Sequence, residues 1–172
     1  MTTLITGGSK CGKSSLAESI LSASPRRKIY IAAMQPFGEA AAETITRHRK
    51  MREGKGFETL ELFSGYSPEQ IPEGCAVMIE DIANLTANEM FTGETVRDPF
   101  GYVMRDIEAV ESRAADVIIV SNTVGADGHE YSPGTADYIR AIGRINAALA
   151  EKADRVIECV FGIPIVLKGE LL

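Results

Sequence analysis

The sequence predicts an α/β fold: one domain over residues 1–172, with a mainly parallel sheet, helices on both of its faces and a C-terminal pair of strands. Three observations support this prediction. Short apolar runs of strand length alternate along the chain with longer segments of helical spacing. The runs are apolar throughout, as in strands that are covered on both faces. The repeated order strand–helix–strand favours parallel pairing through helical crossovers.

The first third of the chain predicts three strands and two helices. Residues 4–6 form a short apolar run that ends at two glycines, which is typical of a buried strand. Residues 13–24 carry leucine and isoleucine at helical spacing and stop before a proline. The apolar stretch 28–33 predicts a second strand, and the Ala-, Glu- and Arg-rich stretch 39–52 predicts a helix that two glycines end. Residues 57–63 alternate loosely and predict a third strand.

The middle of the chain continues the alternation. Residues 64–74 contain two prolines and two glycines, and they predict a loop. The continuous apolar run 75–79 predicts a strand covered on both faces. Helical patterns follow at 82–91 and 102–114, separated by a polar break, and VIIV at 117–120 predicts another buried strand.

The last third begins with a long loop. Residues 122–134 hold three glycines and a proline, and loops of this length are usually functional or mobile. A helix follows whose apolar face is formed by Tyr138, Ile142, Ile145 and Leu149, with steps of 4, 3 and 4. The runs 156–160 and 163–167 flank Phe161-Gly162 and predict the closing strand pair.

Composition excludes several classes of protein. With 45% hydrophobic and 24% charged residues, the chain is neither disordered, coiled-coil nor collagen-like. Its 24 acids and 18 bases give a net charge of −6, which disfavours general binding to nucleic acid or to anionic membrane. Three scattered cysteines and two histidines argue against a disulfide framework and a structural zinc site. With no secretory signal and no 18-residue apolar run, we expect a cytoplasmic protein without a membrane span.

The strongest local signal is a G-x-x-x-x-G-K-S phosphate loop between a predicted strand and a predicted helix. Its glycines let backbone N–H groups turn towards a phosphate, and the following helix directs its positive end at the same anion. Lys13 would reach the β- and γ-phosphates, and the Ser14 hydroxyl would bind Mg²⁺. The loop residues are Gly7, Gly8, Ser9, Lys10, Cys11, Gly12, Lys13 and Ser14.

An acidic pair follows the fourth predicted strand. A phosphate loop usually works with a metal-side acid at the end of a buried strand, and Glu80 and Asp81 stand at that place. Either carboxylate could hold Mg²⁺ directly or through water. The alternative for Asp81 is that it only caps the next helix.

A basic segment surrounds one of the two histidines. Between Arg47 and Lys55 the chain carries five fixed positive charges and one acid. One interpretation is a solvated helix face. The other is a site for nucleotide phosphates, in which neighbouring cations keep the His48 imidazole neutral and able to attack phosphorus.

In their order along the chain, these motifs resemble one family. ITGGSKCGKSSLAE, YIAAMQPF, ITRHRKMREGKGFETLE, IEDIANLTANEMF, VIIVSNTVG and the C-terminal RINAALAEKADRVIECVFGIPIVLKG cover nearly the whole chain. Together they resemble the bifunctional adenosylcobinamide kinase / adenosylcobinamide-phosphate guanylyltransferase family of cobalamin biosynthesis. The resemblance implies a RecA-like P-loop NTPase domain, often assembled as a homotrimer.

The resemblance also implies two reactions, with GTP and/or ATP as co-substrates. In the first, adenosylcobinamide is phosphorylated by a nucleoside triphosphate. In the second, GMP passes from GTP through an enzyme histidine to the new phosphate, giving adenosylcobinamide-GDP. His48 matches the guanylylated histidine. Beyond the phosphate loop, the positions that match the family's nucleotide site are Ala32, Ala33, Met34, Arg49, Lys50, Met51, Arg52, Glu61 and Glu80.

Some residues depart from the family pattern, and the roles of others stay open. Ala33 stands where many relatives have Thr, and Thr123 stands where many have a Glu, which leaves the base of the kinase step unassigned. Cys11 within the loop is either a reactive thiol or an inert small residue. His129 either contacts the corrinoid or is simply solvated. Two other functions remain open: a kinase that lacks the guanylyl step, and a nucleotide-binding regulatory module.

Overall fold

A computed structural model describes residues 1–93, 95–125 and 128–170, without the side chains of Ala40 and Met51. In these residues, strands and helices alternate as predicted. The strands are β1 (Thr2–Thr6), β2 (Lys28–Ala32), β3 (Phe57–Glu61), β4 (Ala76–Glu80), β5 (Asp116–Val120), β6 (Arg155–Val160) and β7 (Ile163–Lys168). The helices are α1 (Lys13–Ser22), α2 (Glu39–Arg52), α3 (Ile82–Met90), α4 (Phe100–Glu111) and α5 (Pro133–Lys152).

The seven described strands form one sheet in the order β3-β2-β4-β5-β1-β6-β7. All neighbouring pairs are parallel except β6 and β7, which pair antiparallel as the predicted C-terminal strand pair. The carboxyl ends of β1, β2 and β4 therefore lie along one edge of the sheet. In open parallel sheets, ligands bind outside this edge.

The core is divided between the two faces of the sheet, because successive strand side chains point to opposite faces. On one face, Ile31, Ile79 and Ile119 pack with buried residues of α3, α4 and α5. On the other face, Met78 and Ile118 pack with Ala17 and Leu21 of α1, in a cluster that includes Tyr30. Arg52 at the end of α2 stacks on the Tyr30 ring, so α2 lies on the same face as α1.

The predicted element boundaries differ from the structure by a few residues. α4 begins at Phe100 rather than Tyr102, because the Asp98 carboxylate accepts a hydrogen bond from the Phe100 N–H (3.1 Å) at the helix start. It ends at Glu111 rather than Ala114. α5 begins at Pro133, since proline is favoured in a first turn whose N–H groups have no helical partner. The predicted loop 64–74 contains one 3-10 turn, Pro68–Gln70. Within the described residues, no helix is both long and apolar enough to cross a bilayer.

Candidate active site

The phosphate loop connects β1 to α1 and needs glycine at its two ends. Gly7 has φ +144° and Gly12, the residue before α1, has φ +104°. A Cβ atom at Gly7 would lie 2.5 Å from the Cys159 carbonyl oxygen, closer than such atoms can approach. At Gly8, no heavy atom of the described residues lies within 4 Å of the same position. The turn at Gly7 therefore requires a residue without a Cβ atom.

Lys13 turns its ammonium group into this loop. Its Nζ donates hydrogen bonds to the carbonyl oxygens of Gly8 (2.6 Å) and Gly7 (3.1 Å), and the residue is only 6% exposed. A backbone hydrogen bond also connects the loop to the segment after β5, since the Thr123 N–H donates to the Gly7 carbonyl oxygen (3.1 Å). The positive charge of Lys13 is thus fixed inside the loop, where the sequence predicts a phosphate to bind.

Ser14 and Glu80 meet across the start of α1 and the end of β4. The Ser14 hydroxyl donates a hydrogen bond to Glu80 Oε1. Burial raises the pKa of Glu80 to about 7, and the Ser14 hydrogen bond only partly opposes this effect. The other oxygen, Oε2, is buried and has no hydrogen-bond partner among the described residues. A hydroxyl beside a carboxylate oxygen without a partner is a donor set that suits Mg²⁺.

Asp81 caps a helix, which was one of the two interpretations open for it. Its Oδ1 accepts hydrogen bonds from the backbone N–H and the side-chain amide of Asn84 (both 2.8 Å) at the start of α3. Its Oδ2 accepts from the Asn122 side chain (2.7 Å). All these bonds orient Asp81 towards its own helix and the end of β5, although its side chain still borders the cleft.

His48 projects from α2 towards β2. Its Nδ1 lies 3.2 Å from the Tyr30 hydroxyl. Burial lowers the pKa of His48, and the charges of Arg47 and Arg52 lower it further. Arg52 is 7% exposed, its guanidinium carbon lies 3.3 Å from the Tyr30 ring centroid, and its Nη1 has no hydrogen-bond partner among the described residues. The imidazole is therefore neutral at pH 7, with Nε2 as the nitrogen left for another partner.

These groups border one cleft of about 490 Å³ at the carboxyl edge of the sheet. A much smaller cavity of about 30 Å³ adjoins it. The two share Met34, His48, Glu80 and Asp81 in their linings. His48 therefore stands between the phosphate loop on one side and the ends of β2 and β3 on the other.

Most of the predicted site residues come together here. Those that line the main cleft are Ser9, Lys10, Cys11, Gly12, Lys13, Ser14, Met34, His48 and Glu80, together with Arg47. Those that line the smaller cavity include Ala32, Arg49, Arg52 and Glu61. Arg49 and Glu61 form an exposed ion pair at 2.5 Å.

The remaining predicted positions are not among the described residues that line the two cavities. Gly7 and Gly8 contribute their carbonyl groups to Lys13. Ala33 is buried, and its N–H donates to the Glu80 carbonyl oxygen (2.9 Å). Lys50 is exposed on α2, and His129 is exposed in the segment before α5. Met51 lies within α2, but its side chain is outside the described residues.

Sequence reasoning missed several residues of the site, among them Tyr30, Thr44 and Asn122. Thr44 lines the cleft and precedes His48 by one helical turn, so the spacing i, i+4 was a signal that could have found it. Asn122 follows the carboxyl end of β5, which is a second available signal. No local pattern singles out Tyr30, because its role depends on α2 folding over β2.

Comparisons with known proteins agree on one family. The family model described as cobinamide kinase / cobinamide phosphate guanyltransferase matches residues 3–167. A relative from Pseudomonas aeruginosa, named bifunctional adenosylcobalamin biosynthesis protein CobP, is 28% identical over the full length of both chains. A relative from Salmonella typhimurium, named bifunctional adenosylcobalamin biosynthesis protein CobU, is 30% identical over 98% of this chain and 100% of its own.

Solved structures support the fold. A Pyrococcus horikoshii OT3 protein, described as a structural study of project PH0250, matches 99% of this chain and 87% of its own with a TM-score of 0.56 and 10% identity. A second solved structure, described as an ATPase domain, matches 91% of this chain and 68% of its own with a TM-score of 0.52 and 12% identity. At such identities the likeness concerns the fold alone, and it agrees with the predicted α/β fold with a mainly parallel sheet.

Proposed function

The chain belongs to the cobinamide kinase / cobinamide phosphate guanyltransferase family, and we propose that it carries out both reactions in the cleft between the phosphate loop and α2. The acceptors are adenosylcobinamide and its phosphate, and the donors are GTP and/or ATP. The observation that carries this proposal is that His48 and the phosphate loop line the same cavity. A triphosphate held by the loop is then within the space that the imidazole faces.

The kinase step uses the phosphate loop. The loop N–H groups and the N-terminus of α1 bind the β- and γ-phosphates, and Lys13 neutralises the charge that builds on the transferred phosphoryl group. The acceptor hydroxyl attacks the γ-phosphorus, its proton passes to solvent water, the bond to the β-phosphate oxygen breaks, and the nucleoside diphosphate leaves. Thr123 has no ionisable side chain and cannot be the base of this step. Lys13 and the loop N–H groups therefore act by placing positive charge and by positioning the phosphates.

The guanylyl step uses His48. Nε2 of the neutral imidazole attacks the α-phosphorus of GTP, an N–P bond forms, and the P–O bond to pyrophosphate breaks. Nδ1 keeps its proton, which the Tyr30 hydroxyl oxygen is placed to accept as a hydrogen bond. The substrate phosphate then attacks the same phosphorus, the N–P bond breaks, and His48 returns to its starting form. Arg47 and Arg52 stabilise the negative charge on the reacting phosphates.

Mg²⁺ fits this site, and Ser14 and Glu80 are the residues that would hold it. The support is the buried Glu80 oxygen without a partner in the described residues, next to the Ser14 hydroxyl. The ion would supply positive charge to the phosphate oxygens. Binding it requires the Glu80 carboxylate form, which its raised pKa of about 7 makes less available in acid.

We further propose a cytoplasmic homo-oligomer, with a trimer as the family resemblance implies. Free thiols at Cys11, Cys75 and Cys159 suit a reducing compartment. The edge strand β7 exposes Ile163 and Leu167, and proteins commonly cover such apolar edges. Sedimentation velocity over a range of protein concentrations tests the assembly, and a monomer throughout would contradict it.

Covalent labelling tests the assignment of His48. The protein is incubated with Mg²⁺ and GTP labelled at the α-phosphate, then denatured. We expect label that is acid-labile and alkali-stable, as in a phosphoramidate. His48→Asn should carry none, and Lys13→Ala should carry little because the triphosphate is not held.

His129→Asn is the matched control, because His48 and His129 are the two histidines of the chain. It should label like the unsubstituted protein. Transfer of γ-labelled phosphate to adenosylcobinamide should persist in His48→Asn, which separates the two activities. Label retained in His48→Asn would refute the nucleophile. Phosphate transfer without any label would leave a kinase only, and binding without either reaction would leave a regulatory module.

A further inference from the structure

Two cysteines meet beneath the phosphate loop. Cys11 lies in the loop, is partly exposed and lines the cleft. Cys159 lies on β6 and is 1% exposed. Its thiol donates a hydrogen bond to the Cys11 carbonyl oxygen at 3.2 Å, and the Cys11 side chain packs against the apolar cluster that includes Cys159. Both are free thiols. The Cys11 sulfur borders the cleft, whereas the Cys159 sulfur is buried.

The surroundings of this pair are tightly packed. A Cβ atom on Gly7 would lie 2.9 Å from Cys11 Sγ, and one on Gly12 would lie 3.6 Å from Cys159 Sγ. The Lys13 ammonium is 3.9 Å from Cys11 Sγ. An ammonium at that distance stabilises the negative charge that a sulfur carries when it attacks an electrophile. The loop backbone, both sulfurs and the catalytic lysine thus form one contact group.

We propose that Cys11 and Cys159 are a peroxide-sensitive pair whose disulfide closes the phosphate loop to nucleotide. The Cys11 sulfur attacks one oxygen of a hydroperoxide, the O–O bond breaks, and Cys11 becomes a sulfenic acid while water, or the corresponding alcohol, leaves. The Cys159 sulfur then attacks the Cys11 sulfur, the S–O bond breaks, and the hydroxyl leaves as water with the Cys159 thiol proton. The two thiols lose two electrons, which reduce the peroxide.

The disulfide would act on nucleotide binding through the loop backbone. The Cys11 carbonyl already accepts hydrogen bonds from Cys159 Sγ and from the Gly162 N–H (2.7 Å). A disulfide fixes the two Cβ atoms about 3.5–4.5 Å apart, so it would hold Cys11 against β6 and restrict how the neighbouring N–H groups turn towards a phosphate. Bound nucleotide covers Cys11 in turn and should slow its oxidation. This proposal rests on nucleotide binding by the phosphate loop, and it does not require His48 to be the nucleophile.

Peptide mapping after oxidation tests the proposal. The protein is treated with hydrogen peroxide, quenched with catalase, alkylated and digested without reduction. We expect one linked peptide pair that joins Cys11 to Cys159, formed more slowly when GTP and Mg²⁺ are present. Binding of GTP, measured by calorimetry, should weaken roughly tenfold or more, since the loss of one hydrogen bond to a charged phosphate has about that effect. A dithiol reductant should restore it.

Variants at the other cysteines provide the controls. Cys75 is buried just before β4, at the opposite end of the sheet from the loop, so Cys75→Ala should respond to peroxide like the unsubstituted protein. Cys159→Ala should form no intramolecular link and should hold Cys11 as a sulfenic acid that dimedone traps. Full alkylation of Cys11 and Cys159 after peroxide, or a link that leaves GTP affinity unchanged, would overturn the proposal. The mapping of the unsubstituted protein decides the matter even if Cys159→Ala does not fold.

Discussion

His48 is kept neutral by its own neighbours, and this has a consequence for pH dependence. Because burial and the two arginines lower its pKa from 6.5, we expect the rate of histidine labelling to stay constant as the pH falls to 6.5 and to decline only below it, provided that Mg²⁺ and GTP are saturating. Saturating Mg²⁺ is needed because it keeps Glu80, whose pKa is about 7, in its carboxylate form. Arg47→Gln removes one of the lowering charges, so its decline should begin at higher pH. The measurement is the initial rate of labelling with α-labelled GTP between about pH 5 and 8.

A charge-matched control lies on the same helix. Lys50→Gln also removes one positive charge from α2, but Lys50 is exposed and is not among the groups that shift the His48 pKa. The decline of its labelling rate at low pH should match that of the unsubstituted protein. The same shift affects folding: the unfolded chain binds a proton to His48 at a higher pH than the folded chain. This group therefore lowers stability as the pH falls through 6.5.

Tyr30 supplies a second test at the same histidine. Its hydroxyl contacts Nδ1 at 3.2 Å, so Tyr30→Phe leaves the Nδ1 proton without this acceptor. We expect labelling with α-labelled GTP to slow roughly tenfold to a hundredfold, which corresponds to about 1–3 kcal/mol for a lost buried hydrogen bond. Phosphate transfer from γ-labelled nucleotide should change little, because the phosphate loop is untouched.

Tyr66→Phe is the matched control for this substitution. Tyr66 is also buried, and its hydroxyl donates to the Leu62 carbonyl oxygen at 3.0 Å. It packs with the α3, α4 and α5 face of the sheet rather than with His48. Equal labelling rates in the two variants would mean that Tyr30 does not position the imidazole.

The residues that the sequence could predict are those tied to a local motif. Lys13 and Ser14 follow from the phosphate loop, and Glu80 follows from its place at the end of a buried strand. Tyr30 could not be found this way, because its hydroxyl meets His48 only through the packing of α2 over β2. The role of Asp81 as a cap likewise needed the position of Asn84 and Asn122 around it.

Among the segments, the turn from β1 into the phosphate loop depends most on one glycine. In Gly7→Ala the new Cβ would meet the Cys159 carbonyl oxygen at 2.5 Å, at a φ of +144°. We expect a loss of stability of about 1–3 kcal/mol and weaker nucleotide binding, because the loop must move away from β6. Thermal unfolding and GTP calorimetry measure the two effects.

Gly8→Ala is the neighbouring comparison. Among the described residues nothing lies within 4 Å of its added Cβ, and its φ is not positive. Its stability should stay within about 0.5 kcal/mol of the original. If both variants melted at the same temperature as the unsubstituted protein, the close contact at Gly7 would not matter for the fold.

The helices and strands themselves were largely predictable from apolar pattern. The predicted helix 39–52 coincides with α2, and each predicted strand overlaps an observed one. Boundaries were less predictable, because helix ends depend on local contacts, such as the hydrogen bond from the Phe100 N–H to Asp98 at the start of α4, and on Pro133 in the first turn of α5. The order of strands was not predictable at all, since β1 pairs with β5 and β6 across long stretches of chain.

For the whole molecule, the sheet brings distant segments of the chain to one edge, and nucleotide binding should therefore stabilise the entire fold. The cleft joins the phosphate loop, α2, the end of β4 and Asn122. A ligand that binds only when these segments are assembled adds about 2.7 kcal/mol at a hundredfold excess over its dissociation constant. For a chain of this size that corresponds to a rise in melting temperature of about 5–10 °C.

Thermal unfolding with and without GTP and Mg²⁺ measures this rise. His48→Asn should keep most of it, because noncovalent binding at the loop does not need the imidazole. Lys13→Ala should lose it, since the ammonium held by Gly7 and Gly8 is the fixed positive charge of the loop. Removal of Mg²⁺ by a chelator should reduce the rise in the unsubstituted protein. A rise of equal size in Lys13→Ala would mean that the nucleotide binds outside the phosphate loop, and the arrangement of both reactions in one cleft would then be wrong.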